Sequence, residues 1–301
     1  MHIPGFKGLV DHLPDYNKGQ IKRLVFRLPG FALLFVIFQI LFFKSMAFFY
    51  QFFPSQKDLW FLIEPAIPII LQIVFIFFGT LVAQFGFRAK ERLLKNDPAT
   101  AYQKAVKPVL GGISMVFSGL IFSYIPLQNM EPLSPTTIAL STSFLSGELY
   151  PIQFYIRLVM GIIFLFIGLR TAYQAVKVFG IDAASLVYVY YPEDAEIVDN
   201  EIYSVIRHPM YLSVYLVSFG SFLIYFSPYA TVMFAIVALS FYRHIFLIEE
   251  KELEVRFGES YVKYAQKVPA LFISPKNWNI FFRFLLGIEE DQKKVGDKYE
   301  E

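Results

Sequence analysis

Residues 207–250 read RHPM YLSVYLVSFG SFLIYFSPYA TVMFAIVALS FYRHIFLIEE. No charged residue appears from Met210 until Arg243, and the apolar pattern breaks decisively only at Ser227-Pro228. Runs 210–226 and 228–247 are each long enough to cross about 30 Å of hydrocarbon, and so short a break between them predicts a tight helical hairpin. A hairpin returns the chain to the side from which it started. The polar clusters at its two ends, Arg207-His208-Pro209-Met210-Tyr211 and Glu249-Glu250, should therefore meet at one membrane face.

Working outward, similar apolar blocks occupy 28–53, 59–85, 108–126 and 152–173. The expected fold is an all-α polytopic bundle of about six spans. Composition agrees: 56% of the 301 residues are hydrophobic and 17% charged, against about 25% charged in soluble domains. Mean hydropathy is +0.49. These values exclude a soluble enzyme, a disordered chain and a disulfide scaffold. A net charge of +2 argues against a nucleic-acid partner, which requires a basic face. With no Cys there is neither a thiolate nucleophile nor a Cys-based zinc site. Residues 1–27 are polar and the first apolar block is too long for a signal-peptide core, so a span with a basic flank is expected there.

Charge orients the spans. Of the 27 Lys and Arg, all but Lys44, Lys57 and Arg157 fall in segments on the same side of this topology. By the positive-inside bias, both termini and the two polar clusters face the cytoplasm. Residues 1–150 hold three spans without a recognisable signature, 151–288 hold the polar clusters, and the charged stretch 289–301 is expected to be disordered. Aromatic and β-branched residues at 186–191 predict extended chain. Residues 249–264 predict a helix with a Glu252–Arg256 pair, and 278–286 a short interfacial helix. Lys44 and Glu64 stand at similar depths in the first two spans, and an intramembrane charge usually has a partner. We expect them to pair. Neither an internal repeat nor polar residues spread along the spans supports a transporter or channel.

Pro209 suits the first position of a helix, where its missing N–H costs nothing. The free N–H groups there, together with Arg207 and His208, would hold an anion such as a carboxylate. Two adjacent carboxylates, Glu249 and Glu250, want a cation. An anion holder beside a cation holder matches a zwitterionic, sulfonium-bearing cofactor. The plainer alternative is that the basic residues snorkel and the glutamates form a solvated face. His208, His244 and Glu249 could share a depth and hold a metal, but interface histidines are more often satisfied structurally, and no metal is expected.

The combination Tyr203…Arg207-His208-Pro209-Met210-Tyr211…Gly220, then Glu249-Glu250…Leu253…Phe257-Gly258…Tyr261…Tyr264…Val268-Pro269, resembles the isoprenylcysteine carboxyl methyltransferase family and the related phospholipid methyltransferases. The resemblance covers roughly 157–275. Glu201-Ile202 stands where a Gly-Pro pair commonly precedes the Tyr, and Ser213 where Gly is usual. The resemblance implies an integral membrane methyltransferase core at 151–288 that uses S-adenosylmethionine and takes a lipid or lipidated acceptor sideways from the bilayer. Carried over, Tyr203, Arg207, His208, Pro209, Tyr211, Glu249, Glu250, Tyr261 and Tyr264 would line the cofactor site, with Arg207, Glu249 and Glu250 closest to the chemistry.

Methyl transfer from a sulfonium is an in-line displacement, so alignment and charge placement carry the catalysis. A prenylcysteine carboxylate is the first choice of acceptor and an amino-phospholipid the second. Membrane sterol reductases share an Arg-His-Pro-like turn and a C-terminal Tyr/Val-Pro segment but use NADPH. A phosphate-rich cofactor should avoid the Glu249-Glu250 pair, which favours the methyltransferase.

Overall fold

Two residues suffice to turn the hairpin. Phe226 adopts a left-handed conformation (φ 44°) that ends α8 (Pro209–Tyr225), and Ser227 caps α9 (Pro228–His244) by accepting the Ala230 N–H on its hydroxyl. Pro228 occupies the first turn of α9, where it needs no hydrogen bond. The computed structural model describes residues 13, 18–52, 57–123, 125, 134–144, 150–184, 187–192 and 196–288, and all regular structure among them is helical.

Before the hairpin come α1 (Lys18–Phe52), α2 (Asp58–Arg88), α3 (Lys90–Asn96), α4 (Ala101–Ser123), α5 (Pro135–Ser141) and α6 (Tyr150–Ala184). A helical turn, α7 (Val187–Tyr190), precedes α8, and α10 (Glu250–Phe257), α11 (Glu259–Lys267) and α12 (Trp278–Leu286) follow α9. Five helical runs are long and apolar enough to cross a bilayer: Arg27–Met46, Asp58–Arg88, Ala101–Ser123, Pro151–Gly180 and Pro228–Phe257. The expected fifth span, α8, has 17 residues and stands at the short limit for crossing.

Close helix contact depends on missing side chains. A Cβ on Gly161 of α6 would lie 2.7 Å from the Gly220 carbonyl oxygen of α8, and one on Gly168 3.0 Å from that of Ser213. Here α6 lies directly on the hairpin. A Cβ on Gly112 of α4 would meet the Ala83 nitrogen of α2 at 2.4 Å. Small residues that let backbones approach are the usual basis of helix association in lipid.

Several expectations need correction. The aromatic stretch 186–191 is not extended over Val187–Tyr190: Tyr191 N–H closes a helical turn on the Val187 carbonyl at 2.8 Å. Val187, Val189 and Tyr190 are buried against Tyr102 and Val106 of α4, and the Tyr190 hydroxyl donates to Gly86 O. Docking outweighs β-propensity here. The helix expected over 249–264 is two helices, divided at Gly258, whose φ is +57°. Its Glu252–Arg256 pair is present.

Lys44 and Glu64 do not pair. Glu64 is buried and accepts the Ser134 N–H at 2.6 Å and the Thr137 hydroxyl at 3.2 Å, joining α2 to the start of α5. Lys44 lies on an exposed face of α1. Arg157, an exception to the charge bias, is buried with its guanidinium on Gln153 O and the Ser143 hydroxyl, 5.0 Å from the Phe226 ring. The tail 289–301 lies outside the described residues.

Candidate functional site

The chain enters the hairpin through two backbone hydrogen bonds to the 268–270 segment. The Arg207 N–H donates to Pro269 O at 3.0 Å and the His208 N–H to Ala270 O at 3.1 Å. This ties the Val268-Pro269 segment to the opening of α8. Beneath lie Ile202, Tyr203, Ile206, Leu212, Ile245, Leu271, Phe281 and Leu285, all buried in one cluster. At the other end of the hairpin, α9 widens into a π-turn at Ile245–Glu249. One residue added to a helical ladder turns everything beyond it by about 100°, and Glu250 follows immediately.

The sequence-predicted residues converge, but their work is unequal. Glu250 is saturated: it accepts from the Arg207 guanidinium at 2.9 Å, faces His208 Nε2 at 2.5 Å, and accepts the Tyr261 hydroxyl at 2.9 Å. Glu249 is less occupied. Its Oε2 accepts the Tyr211 hydroxyl at 2.5 Å, while its Oε1 lies 3.6 Å from His208 Nδ1. The imidazole of His208 thus stands between adjacent carboxylates, one at each ring nitrogen. Tyr264 instead donates to Tyr203 O at 2.7 Å, and the Tyr203 ring stacks on Phe179. These two brace the wall, and among the described residues neither hydroxyl is hydrogen-bonded to a glutamate. Pro209 starts α8 as expected.

The electrostatics follow from burial and charge. Burial alone would lower the His208 pKa, but hydrogen bonds and charge from Glu249 and Glu250 overcome it and push it up to about 9. His208 is therefore an imidazolium at neutral pH. Burial and the Glu250 charge raise the Tyr261 pKa, and burial raises that of Tyr264, so both hydroxyls remain donors. Arg207 also donates to Ala265 O at 2.7 Å and Val268 O at 3.1 Å. Its buried Nε has no acceptor among the described residues.

Sequence reasoning missed a contribution from α2. Gln84, fully buried, places its side-chain nitrogen 3.2 Å from His244 Nδ1, and Arg88 donates to the Gln84 oxygen at 2.8 Å. His244 Nε2 is 3.6 Å from Glu249 Oε2. A single Gln at the end of an apolar run carried no signal. Among the described residues no group of three or more His, Cys, Asp or Glu side chains is disposed to hold a metal.

The comparisons with known proteins centre on this hairpin. The profile of the phospholipid methyltransferase family matches residues 156–260. Protein-S-isoprenylcysteine O-methyltransferase B of Arabidopsis thaliana is 32% identical over 85 residues, which is 28% of this chain and 43% of that protein. Protein-S-isoprenylcysteine O-methyltransferase of Saccharomyces cerevisiae is 29% identical over 110 residues, 36% of this chain and 46% of that protein. The chain thus spans about half the length of the curated relatives it matches. No solved structure matches. The segment 156–260, which holds most of α6, the hairpin and the two-carboxylate cluster, therefore matches the phospholipid methyltransferase family and is similar to the isoprenylcysteine O-methyltransferases.

Proposed function

We propose that the protein is an integral membrane methyltransferase that moves a methyl group from S-adenosylmethionine to the carboxylate of a prenylated cysteine. The observation that carries this reading is the Arg207–Glu250–His208–Glu249 cluster at the open end of the α8–α9 hairpin. The residues fit such a donor. The unpartnered Nε–H of Arg207 and the first N–H groups of α8 suit its carboxylate. Glu249, with spare acceptor capacity, suits its cationic end. When bound, S-adenosylmethionine supplies an electrophilic methyl group on a sulfonium.

Glu250 serves a different purpose: it holds Arg207, His208 and Tyr261 in one arrangement, so that the donor site is organised before binding. A carboxylate acceptor is ionised at pH 7 and needs no base from the protein. The bias of basic residues supports a site open to the cytoplasm. The acceptor's hydrocarbon chain remains in the bilayer, whose lipids surround the exposed apolar flank of α6 (Ile156, Val159, Ile163, Phe166). The second reading, N-methylation of an amino-phospholipid, is supported by the family profile's own description.

The test is methyl transfer by purified protein to three acceptors: a prenylcysteine, an aminophospholipid, and the same cysteine derivative without its chain. Transfer to the first, abolished by Arg207→Ala and by Glu249→Ala, is the expected result. Equal methylation of the chainless acceptor refutes uptake from the bilayer, and transfer to the phospholipid alone establishes the second reading. Binding of NADPH in place of S-adenosylmethionine overturns both.

A further inference from the structure

Gln84 stands outside the family-matched segment 156–260, yet it reaches the site through His244. Its orientation is determined by chemistry. A guanidinium has N–H donors and no acceptor, so the Gln84 atom that meets Arg88 at 2.8 Å is the amide oxygen. The amide NH2 is left facing His244 Nδ1 at 3.2 Å, and it can only donate. An imidazole that accepts at Nδ1 carries its proton on Nε2. That nitrogen is the one 3.6 Å from Glu249 Oε2.

We propose that Gln84, clamped by Arg88, is a positioning residue for the donor site: it fixes His244 in the tautomer that presents Nε2–H to Glu249. Its functional consequence rests on the methyltransferase reading above, whereas the tautomer does not. The ring lies against two others, Phe87 at 6.4 Å and Tyr211 at 5.7 Å between ring centroids. Facing His244 are Gln84 and Phe87 from α2, Tyr211 from α8, and Arg243 and Glu249 on its own helical run; His208 lies across Glu249. A proton added at Nδ1 would set N–H against N–H at Gln84, with Arg243 and the His208 imidazolium nearby. His244 therefore remains neutral and turns its donor to Glu249. With the Tyr211 hydroxyl on the same oxygen, Oε2 is held by α8 and α9 together, while Oε1 faces His208 Nδ1 at 3.6 Å. The second span, which carries no motif, thereby orients a carboxylate of the C-terminal half.

The experiment uses full-length protein in detergent, labelled with nitrogen-15 histidine, the His244 signals being identified by their loss in His244→Phe. Wild type should show Nδ1 bare and Nε2 protonated across neutral pH. Gln84→Glu, which turns the donor into an acceptor, should move a proton onto Nδ1 and weaken S-adenosylmethionine binding about tenfold. Arg88 is exposed, so Arg88→Met should fold even where the buried substitution does not; by releasing the amide it should give mixed tautomers. A protonated Nδ1 in wild type, or a nitrogen pattern indifferent to both substitutions, overturns the proposal. If the pattern follows Gln84 and Arg88 but no donor binds, the tautomer assignment holds and the methyltransferase reading falls.

Discussion

Raising the pH should loosen this protein through one side chain. His208 is 4% exposed and, although burial opposes it, its two carboxylate neighbours raise its pKa to about 9; an unfolded histidine titrates near 6.5. The folded pKa is the higher one. The stabilisation is therefore complete below about pH 6.5 and is lost as pH rises through about 9. Between those limits the folded chain retains a proton that the unfolded chain releases, so stability falls by about 1.4 kcal/mol per pH unit. Over the whole window this amounts to about 3 kcal/mol. Tyr261 and Tyr264, with raised pKa values, do not titrate there. The assay is unfolding in mixed detergent micelles at half-unit steps from about pH 6 to 10, for wild type and His208→Gln. Glutamine keeps a donor for Glu250 and has no titrating proton. The variant should lose most of the slope. If both proteins decline with the same slope, His208 does not carry its proton between the carboxylates, and the electrostatic description of the site is wrong.

Other expectations follow from packing and buried polar groups. Glu64→Met removes the acceptor of the buried Ser134 N–H and should cost about 1–3 kcal/mol, whereas Lys44→Met, on an exposed face, should cost no more than about 0.5 kcal/mol; equal losses, coupled in a double-mutant cycle, would restore the ion pair. Gly112→Ala sets a Cβ 2.4 Å from the Ala83 nitrogen and 2.6 Å from Gly79 O, and should destabilise by about 1–3 kcal/mol. At neighbouring Gly111 a Cβ meets nothing within 4 Å, so Gly111→Ala should leave the thermal midpoint in place; similar shifts for both would mean that α2 and α4 are not in close contact.

Legibility in the sequence divides along a physical line. Hairpin topology was readable because two apolar runs and a Ser-Pro break leave the chain few choices, and the meeting of Arg207-His208 with Glu249-Glu250 follows from that topology. The partner of Glu64 was not readable. It is a backbone N–H at Ser134, and any residue but proline supplies one. Likewise the Val268-Pro269 segment acts through carbonyls that accept from Arg207, which no residue identity announces. Val187–Tyr190 misled because its side chains favour strands, while the surface of α4 on which they dock favours a turn. Glu201 is a related case. Its φ is +45°, the left-handed region in which glycine has no penalty, and a glutamate at that position gives no sign of it.

The difference between the two glutamates also bears on the acceptor. Arg207 and the His208 imidazolium offset Glu249 and Glu250, so the cluster as folded is neutral. Charges in a site of low effective dielectric interact far more strongly than in water, and any net charge brought in has to be balanced locally. S-adenosylmethionine carries one net positive charge at neutral pH. An acceptor carboxylate cancels it, and after transfer both the thioether product and the ester are uncharged, so the site is balanced at both ends of the reaction. An amine acceptor leaves a positive charge at the reacting centre throughout, since its methylated nitrogen is itself a cation, and in an aminophospholipid only the lipid's own phosphate offsets it. On the protein side, Glu252 pairs with Arg256 on α10 and Glu201 lies 4.0 Å from Lys177, which leaves Asp199, close enough to raise the Tyr264 pKa, as the acidic group that would have to balance a cation at the reacting centre. Charge balance, together with the relatives named for isoprenylcysteine, is why the carboxylate is the acceptor we propose.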